Sequence, residues 1–122
     1  DALRWGPRLL YERYRLPMVV TENGMSNCDW VHEDGSVPDP QRIDFMRRYV
    51  RALAQALADG TDVRGYFYWS LLDNFEWAEG YKERFGLVHV DFATLKRTPK
   101  QSFAFYGDII RTRGACLHRP GA

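Results

Sequence analysis

The sequence predicts an α/β fold made of parallel strands, and only a portion of one. Two short runs rich in apolar and β-branched or aromatic residues, Met18 to Thr21 and Val63 to Leu72, alternate with three stretches of helical period. The resulting order of helix, strand, helix, strand, helix calls for parallel pairing with right-handed crossovers. Two strands leave both outer edges of a sheet unpaired, and a closed (β/α)8 barrel takes about 250 residues, more than the 122 present. The expectation is a quarter of something larger in preference to an open βα unit standing alone.

The first helix is expected over Leu3 to Tyr14, where Leu3, Leu9, Leu10 and Tyr14 recur at roughly helical spacing among arginines. Pro7 offers an alternative start, and Pro17 an end. Met18 to Thr21 reads as a strand buried on both faces, stopped by Asn23-Gly24. A polar loop with Asp34-Gly35 and two prolines follows. Asp39-Pro40 then reads as an N-cap and first helical residue, with Ile43, Met46, Tyr49, Val50, Leu53, Ala54 and Leu57 on one face and Asp59-Gly60 as the close. After the second strand and a charged, glycine-containing loop from Glu76 to Arg84, residues Phe85 to Phe92 read as a short extended piece. Thr98-Pro99 is expected to open a last helix with Ser102, Phe103, Tyr106, Ile109 and Ile110 facing inward. Residues 1–111 form one structural unit in this reading, and the tail 112–122 is expected to fray.

Composition narrows the function. Net charge is +1 with both signs interspersed, which excludes the basic stripe of a nucleic-acid binder. No apolar run is long enough to span a membrane, and no signal peptide opens the chain. Cys28 and Cys116 lie far apart without CxxC spacing, so a disulfide framework is not expected. His32, His89 and His118 form no metal-ligand pattern, and no metal or organic cofactor is implied. The four tryptophans, Trp5, Trp30, Trp69 and Trp77, fit a large core or a platform for flat ligands such as sugar rings.

Glu22 ends the first strand at the edge where active sites of parallel α/β folds gather. Position alone does not separate a reactive carboxylate from one that faces water or caps a turn. Glu76 lies between Phe75 and Trp77, and a carboxylate flanked by aromatics suits sugar hydroxyls beside a stacked ring; it equally suits a loop acid at the sheet rim. Trp69 and Phe85 are ordinarily core residues. Asp73, Asn74 and Asp91 read as turn or strand-end residues, and Arg42 and Arg84 as salt-bridge partners of nearby acids, worth little singly if exposed. Glycoside hydrolysis uses two carboxyl groups, and spacing does not decide whether Glu22 and Glu76 are that pair.

Val19-Val20-Thr21-Glu22-Asn23-Gly24 resembles the nucleophile motif of glycoside hydrolase family one. Tyr68-Trp69-Ser70-Leu71-Leu72-Asp73-Asn74-Phe75-Glu76-Trp77 resembles its sugar-binding motif, Gly80 to Leu87 and Val90-Asp91 continue the pattern, and Arg97 to Ser102 is similar to the entry to its last helix. The resemblance runs from about Leu3 to Ile110. It implies a (β/α)8 TIM barrel, of which this chain is the C-terminal part: the seventh and eighth βα units and the helix before them. It implies that Glu22 is the nucleophile of a retaining β-glucosidase-type hydrolase, and that Glu76 binds hydroxyls of the non-reducing sugar instead of acting as the acid/base. Trp77 matches a neighbour on those hydroxyls, Trp69 the aromatic floor and Phe85 part of the wall. The family's acid/base comes from an Asn-Glu-Pro tripeptide on strand four, which is absent here. Phe105 departs from a tryptophan common in the family, a packing change on the last helix.

Phospho-sugar relatives replace the acid at Glu76, so plain β-glucosides, fucosides or galactosides are the substrates implied. The chain by itself is expected to be inactive, and the expected compartment is the cytoplasm. Two other readings stay open: a barrel completed non-covalently, by self-association or a complementary fragment, and a sugar-binding remnant using Trp69, Glu76 and Trp77 without catalysis.

Overall fold

The computed structural model describes residues 1–118. Helix α1 spans Ala2–Tyr14, strand β1 Met18–Asn23, helix α2 Pro40–Ala58 and strand β2 Val63–Tyr68. Strands β3, Val88–Val90, and β4, Arg97–Pro99, precede helix α3, Gln101–Arg111. Short 3-10 turns occupy Trp77–Glu79 and Ala115–His118.

β1 and β2 pair in parallel with α2 as the crossover, as the alternation of elements requires. α1 runs through Pro7, so the alternative start there does not hold. The helix ends because Arg15 turns left-handed at φ 55° and its N–H bonds back to the Tyr11 carbonyl. β2 stops at Tyr68, short of the expected Leu72, and the Trp69–Ser70 peptide bond beyond it is cis. Phe85 to Phe92 yields only β3, which pairs antiparallel with β4. Thr98-Pro99 therefore belongs to a strand, and the last helix starts at Gln101 after Lys100.

Burial departs from expectation in an informative way. α1 contains no buried residue: Leu9 is 67% exposed, and Trp5, Leu10 and Tyr14 are exposed too. β1 was expected to be covered on both faces, yet Val19 is 49% exposed, and Phe67 of β2 is 61% exposed. On α3, Ser102 and Ile109 face inward, whereas Phe103 and Ile110 do not. The core lies between the sheet, α2 and α3, built from Met46, Tyr68, Leu87, Ile109, Cys116 and Leu117. The last two residues correct the expectation of a frayed tail over its first part: Ala115–His118 is a 3-10 turn whose Cys116 and Leu117 complete the core. Residues 119–122 of that tail lie outside the described residues. Cys28 and Cys116 are free thiols, and among the described residues no helix is long and apolar enough to cross a membrane.

Asp39 sits at the N-cap position of α2, but its carboxylate caps nothing in its own helix. It accepts instead from the Ser102 amide at 2.8 Å and the Ser102 hydroxyl at 2.5 Å, and pairs with Arg42. One buried carboxylate thus clamps the start of α2 to the start of α3.

Candidate active site

Parallel pairing puts the C-terminal ends of β1 and β2 side by side. Val20 stands opposite Tyr66 and Asn23 opposite Tyr68, so β1 spends three steps where β2 spends two. The extra residue is a bulge at Thr21–Glu22, a device that re-aims a side chain at a strand end. Glu22 is solvent-exposed there. The next two residues anchor it. The Asn23 carbonyl accepts the Trp69 N–H at 3.0 Å, and the Asn23 side-chain oxygen accepts the Tyr66 hydroxyl at 2.9 Å. Gly24 packs so closely on the residue after β2 that a Cβ would lie 1.9 Å from the Trp69 carbonyl oxygen.

Trp69 follows β2 directly and is 37% exposed. From there the chain makes a loop that closes on itself: the Ser70 amide donates to the Phe85 carbonyl at 3.2 Å, and the Leu87 amide returns to the Ser70 carbonyl at 2.9 Å. Asn74 braces its start, donating to the Ser70 hydroxyl and the Leu72 carbonyl, each at 3.0 Å. At the tip the Glu76 N–H donates to the Gly80 carbonyl at 2.6 Å, and Trp77 takes a left-handed φ of 45°. Glu76 and Phe85 are half-buried and Trp77 is 82% exposed. Phe75, Tyr81 and Phe92 form a chain of ring contacts, and Arg84 lies over Phe92. The loop is tied to the segment after β1 by the Asn27 amide, which donates to the Arg84 carbonyl at 3.1 Å.

Beneath these residues lies a network of buried ions. Lys100 Nζ donates to Asp29 at 2.6 Å and to Asp73 at 2.8 Å, Arg42 pairs with Asp29 and Asp39, and Arg84 pairs with Asp73 at 2.7 Å. Arg42 and Lys100 are fully enclosed, so Arg42 is the salt-bridge partner of nearby acids that was expected, but buried, where the low worth of an exposed pair does not apply. Burial pushes the Asp73 carboxyl up, but the hydrogen bonds and charges of Lys100 and Arg84 outweigh it and hold Asp73 below the usual carboxylate range. Arg42 likewise stays charged against its burial because Asp29 and Asp39 face it. Gly86 permits the close approach: a Cβ there would meet the Asp73 amide nitrogen at 2.2 Å.

The network is what sequence reasoning missed. Asp73 read as a turn residue, and Asp29 and Lys100 drew no attention. No local signal marked it: Asp73 follows an apolar run as a turn residue would, and it meets Lys100 only in the fold. Asp91 meets its expectation, accepting the Ala93 and Thr94 amides in a turn. Among the described residues no His, Cys, Asp and Glu group is arranged to hold a metal ion. A separate apolar groove of about 510 Å³ between α2, α3 and the first part of β2 contains neither Glu22 nor any residue of the loop after β2.

The arrangement presents an exposed carboxylate on rigid backbone, an aromatic residue bonded beside it, and a braced loop carrying a second carboxylate among aromatics. The comparisons agree with a carbohydrate chemistry. The family model described as glycosyl hydrolase family 1 matches residues 1–115. The chain is 44% identical over 115 residues to β-glucosidase A of Thermotoga maritima, covering 93% of this chain and 26% of that one. It is 51% identical over 104 residues to a bifunctional β-D-glucosidase/β-D-fucosidase of Bifidobacterium breve, covering 82% and 23%. An aryl-phospho-β-D-glucosidase of Bacillus subtilis is 43% identical over 121 residues, covering 95% and 25%. The solved family 1 β-glucosidase of Thermotoga maritima superposes with a TM-score of 0.90 at 42% identity, over 92% of this chain and 26% of that one. The chain thus spans about a quarter of the length of the relatives it matches. Those neighbours are TIM barrels, and the fold described above is a portion of one. With 115 of its residues matched by the family model, the chain belongs to glycosyl hydrolase family 1.

Proposed function

We propose that this chain supplies the seventh and eighth βα units of a retaining β-glycosidase barrel, with Glu22 as the nucleophile. Glu22 attacks the anomeric carbon of a terminal β-D-glycoside, the bond to the leaving oxygen breaks, and a covalent glycosyl-enzyme forms. An acid from another strand donates a proton to that oxygen. The same group, now a base, takes a proton from water, which releases the sugar with its configuration retained. Trp69 forms the floor of the sugar subsite, Glu76 and Trp77 hold the hydroxyls, and Phe85 closes one side. No cofactor enters these steps. The substrates are unphosphorylated β-glucosides or related β-glycosides. The cytoplasm is the proposed compartment, where a reducing environment keeps Cys28 and Cys116 as free thiols.

The observation that carries the reading is Glu22, exposed at the strand end within a register shift, with its neighbour bonded to Trp69. The uncovered apolar residues of α1, β1 and β2 support a chain that works inside a completed barrel, since Val19 and Phe67 lie where further strands would cover them. By itself the chain lacks a proton donor for the leaving group, an omission worth roughly 10²–10⁴ in rate.

The test is a complete barrel made by joining this chain to the first three quarters of the Thermotoga maritima β-glucosidase. A 2-fluoro glycoside inactivator should label Glu22, and E22Q should abolish both labelling and turnover of 4-nitrophenyl β-D-glucoside. The 122-residue chain assayed alone is the control and should hydrolyse no cellobiose. A label on any other residue would remove the nucleophile assignment.

A further inference from the structure

We infer that Lys100 is a positioning residue of this site: by bridging Asp29 and Asp73 it sets the sugar-binding loop against the strand end that carries Glu22. The inference rests on the roles given to Glu22 and Glu76 above.

Lys100 stands at the start of α3, remote in sequence from both segments it joins. Its Nζ reaches Asp29, in the segment after β1, at 2.6 Å and Asp73, in the loop after β2, at 2.8 Å. Asp73 is fully engaged on both oxygens. One accepts Lys100 and the Gly86 amide at 2.9 Å; the other accepts Arg84 at 2.7 Å and the Val90 amide at 3.4 Å. Where Lys100 puts Asp73, it therefore puts the backbone at Gly86, next to Phe85, and the return limb of the loop. Asp29 is less fully held: one oxygen is shared by Lys100 and Arg42, and the other has no partner although buried. Apart from Lys100 and its neighbouring ions, the two segments meet through the backbone bond from Asn27 to Arg84.

A buried ion network is weak evidence for stability, because well-packed apolar residues often do as well. What an ammonium between two carboxylates supplies is a fixed separation between the groups it joins. That separation matters here because misplacing reacting or binding groups by about 1 Å costs on the order of 10²-fold in rate. Lys100 touches no substrate atom in this account; it acts through Asp73.

The experiment uses the complete barrel, with active sites counted by the fluorinated inactivator. K100M removes the bridge but leaves two buried carboxylates, so the charge-balanced double variant K100M/D29N is made beside it. Both should raise KM for 4-nitrophenyl β-D-glucoside about tenfold or more, with kcat per titrated site changing less. Hydrogen exchange at the Gly86 and Val90 amides should quicken, even where K100M/D29N restores the parental melting temperature. Unchanged KM with merely fewer titrated sites, recovery of parental KM in the double variant, or failure of both variants to fold would each show a purely structural role and overturn the inference. An unsubstituted barrel that hydrolyses no glycoside overturns the glycosidase reading itself, which separates the two failures.

Discussion

Glu76 is the residue on which substrate choice turns in the proposed reading. Overall likeness does not settle it, because the relatives include a β-glucosidase at 44% identity and an aryl-phospho-β-D-glucosidase at 43%. The local charge is what the proposed preference rests on. Glu76 is half-buried at the loop tip with its backbone pinned to Gly80, so its carboxylate has little room to withdraw. Two like charges about 4 Å apart near a protein surface repel by about 4 kcal/mol, and a sugar phosphate carries nearly two. The complete barrel should therefore hydrolyse 4-nitrophenyl β-D-glucoside at least tenfold more efficiently than its 6-phosphate, and E76S should narrow that gap. Competitive assays of kcat/KM check it, and preference for the phosphorylated substrate would overturn the assignment. At this scale the candidate residues Glu22, Trp69, Glu76 and Trp77 stood out in the sequence, since they sit in contiguous motifs. Asp29, Asp73 and Lys100 were not, because they meet only through tertiary structure and a lone acid in a loop carries no local pattern.

Between the elements, the tightest point is where β1 leaves the sheet. Gly24 is not there for a left-handed turn; it is there because the Trp69 carbonyl occupies the space a side chain would need. G24A should force the two strand ends apart at a cost of about 3 kcal/mol. Urea unfolding would read that as a lower midpoint at unchanged slope, and a parental midpoint would show that the ends slide freely. The same crowding explains what the sequence conveyed about the elements and what it hid. α1, α2 and the parallel strands followed from periodicity and from Asp39-Pro40. The end of β2 did not, because Trp69 to Leu72 continue its apolar pattern while their backbone turns to pair with Phe85, Leu87 and Val88. β3 lies within the extended piece expected over Phe85 to Phe92, but β4 was hidden by length, three residues being too few for an alternation to register. Phe103 and Ile110 misled by the reverse route: their helical spacing marks a face for which this chain provides no cover.

For the molecule as a whole, the buried titratable groups define a window of pH in which it holds together. His89 lies in β3 beside the ion network, and burial, reinforced by Arg84, lowers its pKa, so it is neutral when folded. Unfolded, it takes up a proton near pH 6.5; the unfolded state then binds more protons, and stability falls as pH drops below that value toward the native pKa. Asp73 adds a second loss. Its native pKa is depressed, so its contribution is intact above about pH 4 and disappears as pH falls through the native value. On the alkaline side the sign reverses. Burial raises the phenol pKa of Tyr66, Tyr68 and Tyr106, so above about pH 10 only the unfolded chain ionises them and stability falls again. Melting temperature should thus be flat between about pH 7 and 9, decline below 6.5, and show a second decline below 4. H89Q should remove the first decline and leave the second, whereas D73N should lower stability at neutral pH and flatten the second. If H89Q leaves the slope between pH 6.5 and 5 unchanged, His89 is not the group that titrates there, and the coupling between β3 and the ion network beneath the site lies elsewhere.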